Sequence, residues 1–192
     1  IEYRADYGYS NDYIFKTVRD EIDKFEENDT VIVQLTDPSR RWFIKEDPTY
    51  GNYMTILTSK CNQHVTKEKK NAVKAYINYL HNEESDQSMY IQAFMALCQI
   101  LSSTPVRNWK ILPGFVSIPG TIGTMCEIAN FEFPNQSERQ KWYDTYKIDP
   151  RQNHMSKENH TIFAKKMYNW IKNPDSQINL LDGFKKGFLH VN

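Results

Sequence analysis

The stretch Thr30-Val31-Ile32-Val33-Gln34-Leu35-Thr36 restricts the fold more than any other. It is rich in β-branched residues, holds no Gly or Pro, and is stiff at χ1, which favours extended backbone. Its near-continuous apolar run suits a parallel strand buried on both faces. An amphipathic pattern precedes it: Ile14, Phe15, Val18, Ile22 and Phe25 make one apolar face, and Lys16, Arg19, Asp20, Asp23 and Lys24 face water. Glu26 to Asp29 ends that helix and leaves a short link to the strand. Parallel strands need crossovers, so the order helix, tight link, buried strand predicts a βαβ unit in an α/β sheet.

Ligands of open α/β sheets bind at the carboxyl ends of the strands. Here that position is Asp37-Pro38-Ser39-Arg40-Arg41. The two arginines suit an anionic substrate, or they cover the sheet end. Upstream, Ile1 to Ala5 reads as a short strand and Asp6 to Asn11 as a tight loop bent at Gly8. Trp42 to Thr58 holds Pro48, Gly51 and many aromatics, and reads as an insertion or lid.

A helix is predicted from Thr66 to Asn82 with Val73, Tyr76, Ile77 and Leu80 as its core face. A second, starting near Ser85, carries Met89, Ile91, Phe94, Met95, Leu97, Cys98 and Leu101; it is apolar nearly all round and expected to be buried. Asn108 to Leu112 reads as the next strand, broken by Pro113-Gly114. Gly114 to Pro134 reads as one long loop on the active-site side. Ser137 to Gln140 matches a capping box before a short helix. The tail from Ile178 is expected to pack back on the domain.

Late in the chain, Asp149-Pro150-Arg151-Gln152-Asn153-His154 forms a polar, turn-forming stretch. It runs into a helix whose apolar residues are Ile162, Phe163, Met167, Trp170 and Ile171, with Ser156 as its N-cap. Many α/β hydrolases keep a base and its orienting acid at the mouth of a late helix. Asp149, His154 and His160 match no strong metal spacing, so no metal is assigned. His64, His81 and His190 are read as surface residues.

Charge narrows the function. Lys plus Arg equals Asp plus Glu at 24 each, so the net charge is zero. General nucleic-acid binding rests on phosphate neutralisation, and a neutral domain is poorly suited to it. No apolar run approaches the roughly 20 residues of a membrane span, and no signal-peptide pattern is present. Cys61, Cys98 and Cys126 are odd in number and widely spaced, which predicts reduced thiols, a soluble protein in a reducing compartment, and neither a disulfide scaffold nor a zinc ribbon. Cys98 reads as core.

Three pieces line up in chain order: Gly8-Tyr9-Ser10-Asn11-Asp12-Tyr13-Ile14 at a helix start, Thr36-Asp37-Pro38-Ser39-Arg40 at a strand end, and Asp149…His154 before the last long helix. Together they resemble the SGNH (GDSL-like) hydrolases, in particular the divergent members found in phage genomes. The resemblance spans residues 1 to 172. It implies a single domain over 1–192, a three-layer α/β/α fold with a central parallel sheet and flavodoxin-like topology, and a serine ester hydrolase that uses no cofactor. His154 matches the family's general base. The family's orienting Asp falls at Arg151, so Asp149, five residues before His154, takes that role. Ser10 or Asn11 stands where the family supplies an oxyanion-hole backbone N–H. The loop that carries an Asn in the family has none here, and Arg40 stands in its place. The nucleophilic Ser is expected after a first strand, upstream of Ile1, so that the chain lacks its N-terminal strand and nucleophile segment; Ser10 itself is the other reading, since Gly8-Tyr9-Ser10 echoes Gly-Asp-Ser.

The implied substrate is a small-molecule or glycan ester, with acyl groups removed from a carbohydrate, and neither nucleic acid nor membrane is implied as a partner. The alternative is a non-catalytic derivative that keeps the fold as a binding or structural module assembled into a virus particle. A nucleotide-binding flavodoxin-like domain is disfavoured because no glycine-rich phosphate loop is present.

Overall fold

A computed structural model of the chain describes residues 9–41, 66–128, 135–146, 155–173 and 175–185. The expected first strand and Gly8 bend, the Trp42–Thr58 lid, Cys61, His64, Asp149, His154 and His190 lie outside these residues. The chain mixes helices with two small parallel sheets and divides into two compact units, residues 1–118 and 119–192.

In the first unit, α1 spans Asn11–Glu21 and a 3-10 turn carries on over Ile22–Lys24. Val18 is buried, and Ile14, Phe15 and Phe25 pack against the same core, as the apolar face predicts. Asp29 closes the link: its N–H donates to Glu26 O at 3.0 Å, and its carboxylate accepts the Glu26 N–H at 2.8 Å. Next comes β1, Thr30–Gln34. It pairs in parallel with β2, Asn108–Leu112, in a register that runs from Thr30↔Asn108 to Gln34↔Leu112. The parallel pairing is as expected. Two-sided burial is not: Val33 is buried on one face of β1, but Ile32 on the other is 45% exposed. The strand buried on both faces is β2, where Lys110, Ile111 and Leu112 are all enclosed.

Between the strands lie α2, Lys67–Tyr79, and α3, Glu83–Ser102. Val73 is the buried residue of α2's expected face. Leu80, 72% exposed, has left it, because the helix ends one residue earlier and the Leu80 and His81 N–H groups both turn back to Tyr76 O. Asn82 caps α3, accepting the Glu84 N–H at 2.8 Å, so this helix starts ahead of the expected Ser85. Nor is α3 buried all round. Tyr90, Leu97 and Leu101 face the core, while Met89, Ile91 and Met95 stay exposed, Met95 at 63%. One stripe per helix is what packing against α1 and the sheet can cover. Cys98 is half-buried against this core, and its burial pushes the thiol pKa up.

In the second unit, the expected long loop from Gly114 contains two elements. They are β3, Thr121–Ile122, and α4, Met125–Ile128. Gly120 (φ 86°) and Gly123 (φ 80°) bracket β3 in the left-handed region, a bend that glycine makes without strain. The next helix, α5, covers Gln136–Tyr146, and its cap is Asn135, whose Oδ1 accepts the Glu138 N–H at 2.9 Å. The Ser137 capping box is therefore displaced: Asn135 caps at least as well and stands two residues earlier. Ser156 does cap α6, Lys157–Lys172, as predicted, accepting the Asn159 N–H at 3.0 Å. Met167 and Trp170 turn inward from α6. The described part of the tail does pack back: β4, Ile178–Asn179, pairs in parallel with β3, and Leu180 is enclosed. Among the described residues no helix is long and apolar enough to cross a membrane.

Candidate functional site at the carboxyl end of the first sheet

A helix that leads by a short link into a parallel strand runs antiparallel to it. Its N-terminus therefore lies at the strand's carboxyl end. Asn11, the first residue of α1, shows this directly. Its buried side chain accepts the Thr36 N–H at 2.9 Å and points its amide at Thr36 O and Asp37 O, both 3.4 Å away. The first turn of α3 reaches the same edge, where Asp86 receives Arg41. Two helix N-termini thus meet the chain as it leaves β1.

That chain is tied at each step. Asp37 Oδ1 accepts from both the N–H and the hydroxyl of Ser39, at 2.7 and 2.6 Å. The Arg40 N–H closes a turn on Asp37 O at 3.1 Å. Arg41 Nη1 donates to Pro38 O and to Arg40 O, and its Nη2 donates to Asp86 Oδ1. The other Asp86 oxygen lies 2.8 Å from His81 Nε2. Asp86 is 5% exposed, Arg41 14% and His81 22%.

The β2 side of this edge is equally close. Past Leu112, β1 continues with the Leu35 N–H donating to Leu112 O at 2.9 Å. A Cβ placed on Gly114 would stand 2.4 Å from Leu35 O, so the two backbones touch where a side chain cannot fit. Tyr90, buried on α3, donates its hydroxyl to Val116 O at 2.9 Å. Burial pushes the Tyr90 phenol up to about 12, against backbone groups of Gly114 and Val116 that pull it down.

The two helix ends differ electrostatically. At α3, the Asn82 cap and the acids Glu83, Glu84 and Asp86 already answer the positive end. At α1, Ser10 sits at the N-cap, fully enclosed, yet its side chain makes no cap bond. Its Oγ has no hydrogen-bond partner among the described residues. Buried hydroxyls without partners are rare and cost about 1–3 kcal/mol. A helix end left without a side-chain cap offers its opening backbone N–H groups to an anionic oxygen.

Of the residues singled out from sequence, Ser10, Asn11 and Arg40 are gathered at this edge. Asn11 spends its side chain on the backbone of residues 36 and 37. Asp149 and His154 lie outside the described residues. The reading of Ser10 as nucleophile meets an obstacle, since a hydroxyl with no exposed surface does not present itself to a substrate carbonyl. The assignment of His81 to the surface is corrected: its ring is bonded to the buried Asp86. The available sequence signal was the spacing of His81 and Asp86 across the Asn82 cap, which brings a first-turn carboxylate back over the residue before the cap. Among the described residues no three His, Cys, Asp or Glu side chains gather as a metal site.

Compared with family models, curated proteins and solved structures, the chain gives no match in any of the three.

Proposed function

We propose that the protein is a serine ester hydrolase of the SGNH type, acting on an acyl ester carried by a carbohydrate. One observation carries the reading: the positive end of α1, which the Ser10 side chain does not cap, stands beside the carboxyl end of a parallel strand. A donor held ready at such an end is what a developing oxyanion needs, and a preorganised donor of this kind is worth about 3–4 kcal/mol of barrier. In this reading the backbone N–H groups that open α1, with Ser10 enclosed at the N-cap, face the oxyanion. Asn11 holds that helix start against the loop, and Arg40 adds positive charge at the rim. His154 takes the proton of the nucleophilic serine and returns it to the leaving alcohol, with Asp149 orienting the imidazole. The burial of β2 on both faces supports the corresponding three-layer α/β/α fold with a central parallel sheet.

The test is intact mass after exposure to a fluorophosphonate probe, made on the complete gene product and on His154→Ala and Ser10→Ala variants. A single adduct is expected on the wild type. It should form much more slowly on His154→Ala, and at close to the wild-type rate on Ser10→Ala, whose hydroxyl is enclosed. Peptide mapping of the adduct identifies the nucleophile. No adduct on folded wild-type protein would sink the hydrolase reading.

A further inference from the structure

One costly arrangement among the described residues of the first unit is the group Arg41, Asp86 and His81. Placing a carboxylate and a guanidinium out of water is expensive, and a well-packed apolar pair of the same size serves stability as well or better. Stability is therefore a weak reason for the pair, and its geometry supplies a stronger one. Each Asp86 oxygen has one partner, Arg41 on Oδ1 and His81 on Oδ2. The guanidinium fork spans the gap from Asp86 to two carbonyls of the loop, Pro38 O at 2.5 Å and Arg40 O at 2.9 Å. Arg40 is thereby held on both sides, its N–H by Asp37 O and its C=O by Arg41. Lys in place of Arg41 is a point charge that lacks this rigid planar fork.

We propose that Asp86 is a positioning residue: with His81 behind it, it orients Arg41, which fixes the Pro38–Arg40 backbone and so sets where the Arg40 side chain begins at the mouth beside α1. The part of this that concerns chemistry rests on the ester-hydrolase reading; the part that concerns the loop does not. The two neighbouring arginines then have different work. Arg41 is neutralised by Asp86 and holds the loop, while Arg40 serves the ligand. Asp86 touches no substrate in this account and acts through Arg41.

The experiment takes full-length Asp86→Asn and Arg41→Lys variants and reads amide hydrogen exchange at residues 39 to 41, thermal stability, and the hydrolysis of p-nitrophenyl acetate. Exchange at these amides should rise about tenfold or more in both variants, which corresponds to about 1.4 kcal/mol of lost local protection. With the ester, kcat should fall by about tenfold or more while KM stays within about twofold, the pattern of an interaction made in the transition state. Arg41→Lys keeps a positive charge for Asp86 and decides the question should Asp86→Asn fail to fold. Exchange unchanged from wild type in the folded variants overturns the proposal. So does faster exchange with kcat unchanged, which would make the tie structural only. If the wild type shows no esterase activity, the hydrolase reading falls by itself, and the exchange measurement still decides whether Asp86 holds the loop.

Discussion

Asn11 Oδ1 accepts the N–H of Thr36 at 2.9 Å, so a side chain at the first position of α1 takes the place of a strand partner just beyond the end of β1. The two residues are 25 apart in sequence, and the bond joins a helix start to a strand end. Asn11→Ala would leave the Thr36 N–H without that partner, at a cost of about 1–3 kcal/mol. Urea unfolding should show the midpoint fall with the slope unchanged. A loss below about 0.5 kcal/mol would place the bond among the ordinary surface contacts.

Gly114 makes a sharper case. No unusual φ is involved; the constraint is space, because an added methyl meets the Leu35 carbonyl oxygen at 2.4 Å. Backbone cannot swing aside as a side chain can. Gly114→Ala should cost about 1–3 kcal/mol through overpacking, and should speed exchange of the Leu35 amide, which bonds Leu112 O across the strands. A variant with wild-type stability and wild-type Leu35 exchange would show that the strand ends part more easily than this geometry allows.

How far these features could be read from the sequence depends on whether they are local. Ile14, Phe15, Val18 and Phe25 announce α1 by spacing alone, and Ser156 announces the start of α6. The β-branched run at Thr30 announces a parallel strand. Other features needed partners that no local pattern shows. Ile32 sits in as apolar a run as Val33, but which face is covered depends on what packs there. Asn135 displaces Ser137 because two good caps compete over two residues. The two-residue strands β3 and β4 are too short to show a period. His81 and Asp86 are five apart, and only the turn between α2 and α3 folds the ring back onto the carboxylate. At the candidate site, Ser10, Asn11 and Arg40 were singled out from the sequence and share one strand end, whereas Arg41's hold on the loop showed in no local pattern.

Tyr90 links stability to alkaline pH. Its folded-state pKa lies near 12, above the ordinary value of 10.0, because burial disfavours the phenolate. Its contribution is therefore whole below pH 10 and is lost as pH rises toward 12. The displacement corresponds to about 2–3 kcal/mol across that window. Tyr90→Phe should cost about 1 kcal/mol at neutral pH by stranding Val116 O. It should also flatten the decline between pH 10 and 12 relative to wild type. Urea midpoints at pH 8, 10 and 11 check both; parallel declines for the two proteins would refute the assignment to Tyr90.

The second unit has its own counterpart to Asn11. Asn159, enclosed in the first turn of α6, accepts the Lys185 N–H at 2.8 Å and donates to Lys185 O at 2.9 Å. Asn159→Ala would remove both bonds and leave a cavity. The expected loss is about 2 kcal/mol or more, with faster exchange of the Lys185 amide. Lys185 exchange equal to wild type would show that the tail is held by other contacts, such as those of Leu180.

The parallel pairing of β1 with β2 also bears on the order in which the molecule assembles. Thr30 and Asn108 are 78 residues apart, against 25 for Asn11 and Thr36. Loop closure over roughly three times the length costs about 1 kcal/mol more in chain entropy. Asn11 can therefore seat itself on the end of β1 while β2 is still a distant partner, and the edge that later meets Gly114 is half built before the sheet exists. Folding and unfolding rates of Asn11→Ala and Ile111→Val would read this order: the Asn11 change should mainly slow folding, and the Ile111 change should mainly speed unfolding.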